Sequence, residues 1–572
     1  MLSVGRSTYT EMSVTGALSL CLAGLLAIGC SAASSNQQSG SGGASPTGGY
    51  TGSGGKSASG GNSGTGGNTS AGGTSGKSGS GGSAGTASSG GSGSGGTSSG
   101  GKGGTSSTGG SVGKGGTLST GGSVGSGGTS SVGGSAGSGG TTGGGGNTAT
   151  ANCNITPTVT ISSKIGTVGI VTFTTDLSSP TSAHIDFGLT TSYGLQAPVD
   201  LTSTSYQTLL LGMKQSKTYH YRVVVSNASG QCTGGDNTLT TKTLANGLPT
   251  VTISAASGTI VGGYLSSCFY QSMGAGSASG AFILDADGEY VWVYGSGEMG
   301  RAEMSYDGKY MYYASVNAME GSSSSMHRVT MDGLTDNDYS SVVSGMHHDF
   351  TTGLPDGTVG FIRRVGSVDY VSELKDGTVT DKFNVTAMFG SSAGVQPHAN
   401  AIHYHADDDS YTVSDRDYNA YIKASRSGTK AWSIGGTSSS FTGDVSWSIN
   451  HGHQWIGPNR LFFFNNGNGS GMGGPGGGGS TASHAIELSL DLTTMKATNV
   501  WDYSVSGISS SVLGDVQILD NGNRFITFST AGTLHEVNGT TKALIQSISF
   551  SSGGATGYAV KRATLYGPPP AK

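Results

Sequence analysis

The run Ile402-His-Tyr-His-Ala-Asp-Asp-Asp-Ser-Tyr-Thr-Val413 sets three consecutive aspartates between two stretches in which polar and apolar residues alternate. A period of two marks half-buried strands, and a polar cluster between two such runs marks a hairpin. Working outward, comparable turns occur at Tyr306-Asp-Gly308, Pro355-Asp-Gly357, Gly457-Pro-Asn459 and Asp520-Asn-Gly522. Centred on 307, 356, 407, 458 and 521, the turns are 49, 51, 51 and 63 residues apart. A glycine-rich insertion, Gly467–Gly479, accounts for the long last interval. Between these turns lies a second set of hairpin signals, at Asp332-Gly333, Asp376-Gly377, Ser427-Gly428, Leu490–Met495 and Asn538-Gly539. Each repeat therefore holds two hairpins, or four strands, and four strands per repeat of roughly fifty residues is the signature of a β-propeller blade. Five repeats run from about 299 to 546. The remnants Gly280–Tyr294 and Tyr558–Tyr566 predict a sixth blade shared by the two ends. The expected fold class is all-β, with a six-bladed propeller over 250–567.

The rest of the chain is of a different kind. Of 572 residues 106 are glycine, and only 11% are charged. Much of that bias sits between Ser31 and about Ala151, a tract almost entirely of Gly, Ser, Thr and Ala. Its charges are Lys56, Lys77, Lys102 and Lys114, and its one aromatic is Tyr50. Such a tract buries too little apolar area to offset chain entropy, so residues 30–151 are expected to be a disordered tether. A random coil of that length reaches on the order of 60 Å. Before it, Gly16–Gly29 reads as the apolar core of an export signal over 1–29. The stretch Leu26-Ala-Ile-Gly-Cys30 resembles a bacterial lipobox. That resemblance implies cleavage before Cys30 and lipidation of its thiol; ordinary signal cleavage near Ala33 is the alternative. The expectation is an exported lipoprotein of the periplasm, outer membrane or surface of a Gram-negative bacterium. Its only membrane contact would be the lipid anchor. A net charge of −5 without a basic stripe argues against nucleic acid as a partner.

Residues 152–246 carry short β-rich runs separated by turn residues, the pattern of a small β-sandwich. Within them, Leu211-Gly-Met-Lys-Gln-Ser-Lys-Thr-Tyr-His-Tyr-Arg-Val223 resembles the fibronectin type III signature. The resemblance makes Tyr219 a corner tyrosine and turns Tyr221 and Val223 into the core. An exported chain permits a Cys153–Cys232 disulfide, which leaves Cys268 as a lone thiol.

Residues equidistant from a hairpin turn lie side by side. His348 and Arg364 flank position 356 symmetrically, His398 and Arg416 flank 407, and His451 and Asn465 flank 458. Three consecutive blades thus place a histidine on the incoming strand and a polar residue opposite. If the first strand is innermost, the three imidazoles face one mouth of a central channel. Strand-end capping by hydrogen bonds is the structural alternative. Three histidines could hold a metal, but blades diverge around a channel and Arg416 is a poor neighbour for a cation, so no metal or other cofactor is expected. Asp407, Asp408 and Asp409 read as a solvated turn, and His403 and His405 as structural.

A cationic mouth of histidine and arginine suits chemistry on a tetrahedral oxyanion. His347-His-Asp-Phe350, His398-Ala-Asn-Ala-Ile402 running to Ser414-Asp-Arg416, Ala431-Trp-Ser-Ile-Gly-Gly436, and Asn450-His-Gly-His453 running to Phe464-Asn-Asn-Gly467 resemble the bacterial arylsulfotransferases that work without a nucleotide sulfate donor. The resemblance spans about 250–567. It implies a six-bladed propeller and a ping-pong transfer of a sulfuryl group from an aryl sulfate to a phenol through a sulfohistidine. It puts the nucleophile on His451 and the oxyanion-binding set on His348, His398 and Arg416. Asn400, His453 and His347 would line the substrate. The motif here has two histidines, 451 and 453, where the family usually has one, so His453 stands as the other candidate nucleophile. The alternative function is a non-catalytic cell-surface propeller that binds a sulfated or phenolic ligand.

Overall fold

The computed structural model describes residues 153–568, apart from 203–204, 245–246, 256–261, 272–278, 298, 316–324, 391–393, 468–481 and 552–553. The export signal, Cys30 and the whole tether lie outside the described residues. Among those described, almost everything regular is antiparallel strand. The one α-helix is a single turn, Val385–Phe389, capped by Asn384 Oδ1 accepting from Ala387 N at 2.8 Å.

Two sheets open the described chain. One holds Ile155–Ile161, Gly169–Thr175 and Tyr206–Leu210; the other holds Leu195–Pro198, Ser182–Gly188, Thr218–Asn227, Gly230–Thr233 and Asn237–Thr240. They share a core that includes Val171 and Phe173 from one sheet and Ile185, Phe187, Tyr221 and Val223 from the other. Alternation explains the split: in Gly169–Thr175 the residues at 169, 171 and 173 are buried and their neighbours are not. Tyr219 Oη accepts from Lys214 N at 2.8 Å, across the bend that precedes its strand. Cys153 and Cys232 are joined, with Cα atoms 6.1 Å apart. Cys268 is free and buried, and burial pushes its thiol up to about 12.

Six further sheets follow in chain order. The middle four are simple meanders of four strands each. The second begins at Arg301–Met304, the third at Met346–Thr351, the fourth at Ala399–His405 and the fifth at Asn450–Ile456. The first and sixth are composite. Tyr264–Gln271, Ala281–Leu284 and Tyr290–Tyr294 are completed by Ala555–Thr556 and Val560–Arg562 from the C-terminal end. The sixth sheet, opening with Asp515–Ile518, gains Val251–Ala255 as an extra outer strand. The repeat arithmetic foresees sharing between the two ends but not this exchange in both directions. Lys561 fixes the C-terminal strand: its backbone pairs with the Gln517 amide at 2.9 and 3.0 Å, and its Nζ meets buried Glu536 Oε2 at 2.6 Å.

The opening strands of the second to sixth sheets touch one another in sequence and lie innermost. Three of them bury an ion cluster. Arg301 lies 3.2 Å from Glu303, 3.5 Å from Asp349 and 3.6 Å from Asp515. Burial pushes Asp349 up to about 6. Asp349 Oδ2 also accepts from Ile402 N at 3.0 Å, tying the third sheet to the fourth.

The sandwich packs on this assembly. Ile165, Val168 and Leu211 join the same apolar cluster as Leu265, Leu284 and Trp292. Tyr566 Oη accepts from Leu211 N and donates to Leu209 O, both at 2.9 Å.

Candidate active site

Three of the innermost strands carry the site, and all three are bulged at their N-terminal ends. Beside the fourth sheet's hairpin, Ala399 pairs with Asp415 but Ala401 pairs with Ser414, so Asn400 is extra. In the fifth sheet, Asn450 opposes Asn465 and His453 opposes Phe463, so one residue of His451-Gly452 is extra. In the third, Met346 opposes Arg363 and Phe350 opposes Phe361, which inserts two. A bulge re-aims the side chains next to it. His348 has φ at +59°, a left-handed conformation that costs a non-glycine residue about 1–2 kcal/mol. Such strain persists only where the surroundings enforce it.

The bulges change the partners read from symmetry about the turns. His398 and Arg416 do face each other, Arg416 N donating to His398 O at 3.0 Å. Arg364 instead faces Gly345. Its guanidinium grips Asp369 through Nε at 2.6 Å and Nη2 at 2.8 Å. Asn465 is spent on the backbone NH groups of Ser448 and Gly467, and the partner of His451 is Asn466.

That partner decides the chemistry of His451. The Asn466 amide nitrogen donates to Ser510 O at 2.8 Å and Leu513 O at 2.7 Å. Its Oδ1 is therefore an acceptor, and the 2.6 Å contact to His451 Nδ1 requires the proton on Nδ1. His451 Nε2 then carries a bare lone pair. Burial pulls this imidazole down to about 3; the Asn466 bond opposes the shift, and the positive charge of Arg416 and His398 adds to it. A buried neutral imidazole with its lone pair uncovered is a nucleophile across the physiological range. Sequence reasoning missed Asn466, although it directly follows Arg460–Asn465, the strand that pairs with the His451 strand.

Around His451 the structure gathers His398, His348 and Arg416. His398 Nε2 lies 3.0 Å from His348 Nε2, and Arg416 Nη1 lies 3.4 Å from His398 Nδ1. Burial, together with the other histidines and Arg364, pulls His348 well below the ordinary imidazole value. Arg416 Nε is buried without a hydrogen-bond partner. Its Nη1 meets Asp417 Oδ1 at 3.2 Å.

The remaining candidates occupy other positions. Asn400 is fully buried, with its amide nitrogen on Asn450 O at 2.6 Å and its Oδ1 accepting from Ser414 at 2.6 Å. It props the bulge that aims His451. His347 is also fully buried, between Asp369 Oδ1 at 3.1 Å and His348 Nδ1 at 2.7 Å. His453 points away from the cluster, its Nε2 2.8 Å from Thr412 Oγ1 and its ring against His403 and Tyr421. Gly452 separates the two histidines because the fifth and sixth sheets meet there. A Cβ at 452 would fall 2.6 Å from Gly514 O and 2.4 Å from Asp515 Oδ1.

Among the described residues, no group of three or more His, Cys, Asp or Glu side chains is arranged to hold a metal ion. The imidazoles of 347, 348 and 398 face one another in line rather than converging on a point. A cavity of about 1060 Å³ opens at the opposite, turn-bearing end, between Tyr404, His405, Lys423, Trp432, Trp455 and Pro458. None of His348, His398, Arg416 or His451 lines it.

Fold and site together define an all-β protein with a buried histidine–arginine cluster built around an uncovered imidazole nitrogen. Residues 397–559 match the family described as arylsulfotransferase (ASST), the family that the spaced motifs resemble. The match includes His398, Arg416 and His451, and it supports sulfuryl transfer as the general activity. No curated protein matches the chain. Among solved structures, a protein of unknown function from Bacteroides caccae is similar at 14% identity. It covers 52% of this chain and 98% of its own, with a TM-score of 0.36. The periplasmic gluconolactonase PpgL of Pseudomonas aeruginosa shows 12% identity, 59% and 94% coverage, and a TM-score of 0.31. Likeness at that level says nothing further about this chain.

Proposed function

We propose that the protein is an aryl-sulfate sulfotransferase, independent of nucleotide donors, that passes a sulfuryl group from an aryl sulfate to a phenol through a sulfohistidine at His451. In this reading the six sheets are the blades of a β-propeller over 250–567. A fibronectin type III-like sandwich over 152–246 precedes it, and before that an exported tether over 30–151 begins at a lipidated Cys30. The innermost strands in sequential contact and the exchange of terminal strands support the propeller.

The observation that carries the chemistry is the Asn466–His451 contact, which leaves His451 Nε2 bare beside Arg416 and His398. The Nε2 lone pair forms an N–S bond as the bond from sulfur to the phenolic oxygen breaks. The proton stays on His451 Nδ1 throughout, donated to Asn466 Oδ1. A second phenol, on losing its proton, takes the sulfuryl group and restores the neutral imidazole. Negative charge on the sulfuryl oxygens grows toward Arg416, whose buried Nε is without a protein partner, with the rings of His348 and His398 packed beside it. Preorganised cationic donors of this kind are the main source of catalysis in group transfer to and from such centres.

Brief exposure to 4-nitrophenyl sulfate followed by peptide mass spectrometry tests the proposal. A gain of one SO3 on the peptide containing His451, discharged by added phenol, is expected. Transfer without any adduct, or an adduct that persists in His451→Ala, overturns it.

A further inference from the structure

The mechanism above leaves a proton unplaced: an accepting phenol must lose one, and a leaving phenolate must gain one. Five groups lie in line beside His451. Asp369 Oδ1 is 3.1 Å from His347 Nε2; His347 Nδ1 is 2.7 Å from His348 Nδ1; His348 Nε2 is 3.0 Å from His398 Nε2; and His398 Nδ1 is 3.3 Å from Asp417 Oδ2. Every nitrogen of the three rings is in a contact. Four contacts between two carboxylates need four protons, whereas three neutral imidazoles carry three. The row is therefore complete only when it holds one extra proton.

The three-proton row is not left broken, because His398 Nδ1 faces two partners. Asp417 Oδ2 can accept from it, and Arg416 Nη1, at 3.4 Å, can donate to it. With the extra proton, Nδ1–H is shared with Asp417. Without it, the bare Nδ1 is covered by Arg416. Ring positions need not change between the two states.

We propose that His347, His348 and His398, closed by Asp369 and Asp417, are a relay that stores one proton, taking it from the accepting phenol and returning it to the leaving phenolate. The relay rests on the sulfotransferase reading. In the first half-reaction the S–O bond breaks, the phenolate oxygen takes the proton from His398, and the row falls to three protons. In the second, the new phenol gives its proton to His398 Nδ1 as its oxygen attacks sulfur, and the row returns to four. The exchange belongs at the His398 end, the exposed one: side-chain exposure is 37% at Asp417 and 12% at His398, against 0% at His347 and Asp369. While the proton is stored, a shift of each hydrogen along the row moves the charge to His347, beside Asp369. Arg364, Arg416, Asp415 and His451 are the other charged or titratable groups around the row. Through Asp369, Arg364 fixes the inner end, and Asp415 Oδ2 holds His398 N at 2.8 Å.

Asparagine at 417 keeps the shape but donates to His398 Nδ1, so the row is satisfied by three protons and stores none. Glutamine at 347 can bridge Asp369 and His348 but cannot carry charge. Burst rates of Asp417→Asn and His347→Gln are measured with two donors. One is 4-nitrophenyl sulfate, whose phenolate leaves unassisted, and the other is phenyl sulfate, whose phenolate needs a proton. General acid assistance is worth about a hundredfold or more. Loss on that scale is expected for phenyl sulfate, and under about threefold for 4-nitrophenyl sulfate. Equal losses on both donors, or no loss on phenyl sulfate in Asp417→Asn, overturn the relay. A parent protein that transfers nothing from either donor overturns the sulfotransferase reading, and the relay with it.

Discussion

Asn466→Ala isolates the step that makes His451 a nucleophile. The substitution removes an acceptor 2.6 Å from Nδ1 and two donors, at 2.8 and 2.7 Å, that hold the amide in place. Ser510 O keeps a bond from Ser483 Oγ at 3.2 Å, so the loss falls mainly on the imidazole. A buried Nδ1–H without an acceptor costs about 1–3 kcal/mol. The ring escapes that cost by moving its proton to Nε2, which blocks the attacking atom. Either way the reactive form is disfavoured by the same amount, roughly ten- to a hundredfold in rate. The assay is the stopped-flow burst of 4-nitrophenol from its sulfate, with His451→Ala as the zero. Asn466→Asp is the control. It keeps an acceptor for Nδ1–H but turns the two donated bonds into oxygen–oxygen contacts, so it should lose folding stability as well. A burst within about threefold of the parent in a stably folded Asn466→Ala would refute the assignment of the tautomer.

Acid should spare the first half-reaction with 4-nitrophenyl sulfate between pH 7 and 5, because His451 stays neutral until its folded value of about 3; a midpoint near 6 in the burst rate would mean an ordinary exposed imidazole. The same depression weakens folding in acid: below the unfolded value near 6.5 the unfolded chain binds a proton that folded His451 refuses, so urea midpoints should fall as pH drops toward 3, and less so in His451→Phe. Gly452→Ala should cost about 1–3 kcal/mol in denaturant unfolding and lower the burst, since backbone rather than a flexible side chain stands 2.6 Å from the new Cβ. Lys561→Met takes the ammonium away from the buried Glu536 carboxylate, and the C-terminal strand should loosen by about 3–5 kcal/mol, read from the unfolding midpoint and from amide exchange across Tyr264–Gln271.

What could be read beforehand divides along a physical line. Turn chemistry is local: the Asp-Gly and Asn-Gly pairs fix where the chain reverses, and at the hairpin of Arg524 the glycine at 522 takes the φ of +81° that the turn requires. The number of strands per sheet and the spacing of the sheets along the chain therefore follow from the sequence. The long-range exchange of strands did not, because Val251–Ala255 is a five-residue strand whose partner lies almost three hundred residues away, and no local pattern distinguishes it from a linker. The histidine set was legible as a set but not as a geometry. Counting back from a turn assumes a regular pleat, and each of the three strands breaks its pleat beside the residue being counted.

The one pairing that survives does so by compensation. The four-residue turn between His405 and Ser410 puts the hairpin's centre half a step beyond 407, and the bulge at Asn400 restores the offset before His398 is reached. On the third and fifth sheets no such compensation occurs, so Arg364 turns to Asp369 and Asn466, not Asn465, reaches His451. The same departures from regularity produce the chemistry. Straight strands would point 347 and 348 to opposite faces. The two inserted residues and the left-handed backbone of His348 instead bring the adjacent rings within 2.7 Å of each other, nitrogen to nitrogen. A variant that relieves that strain, His348→Gly, should fold at least as readily in its backbone, yet it would sever His347 from His398. If its phenyl sulfate burst nonetheless equalled the parent's, the bulge would be a feature of packing alone.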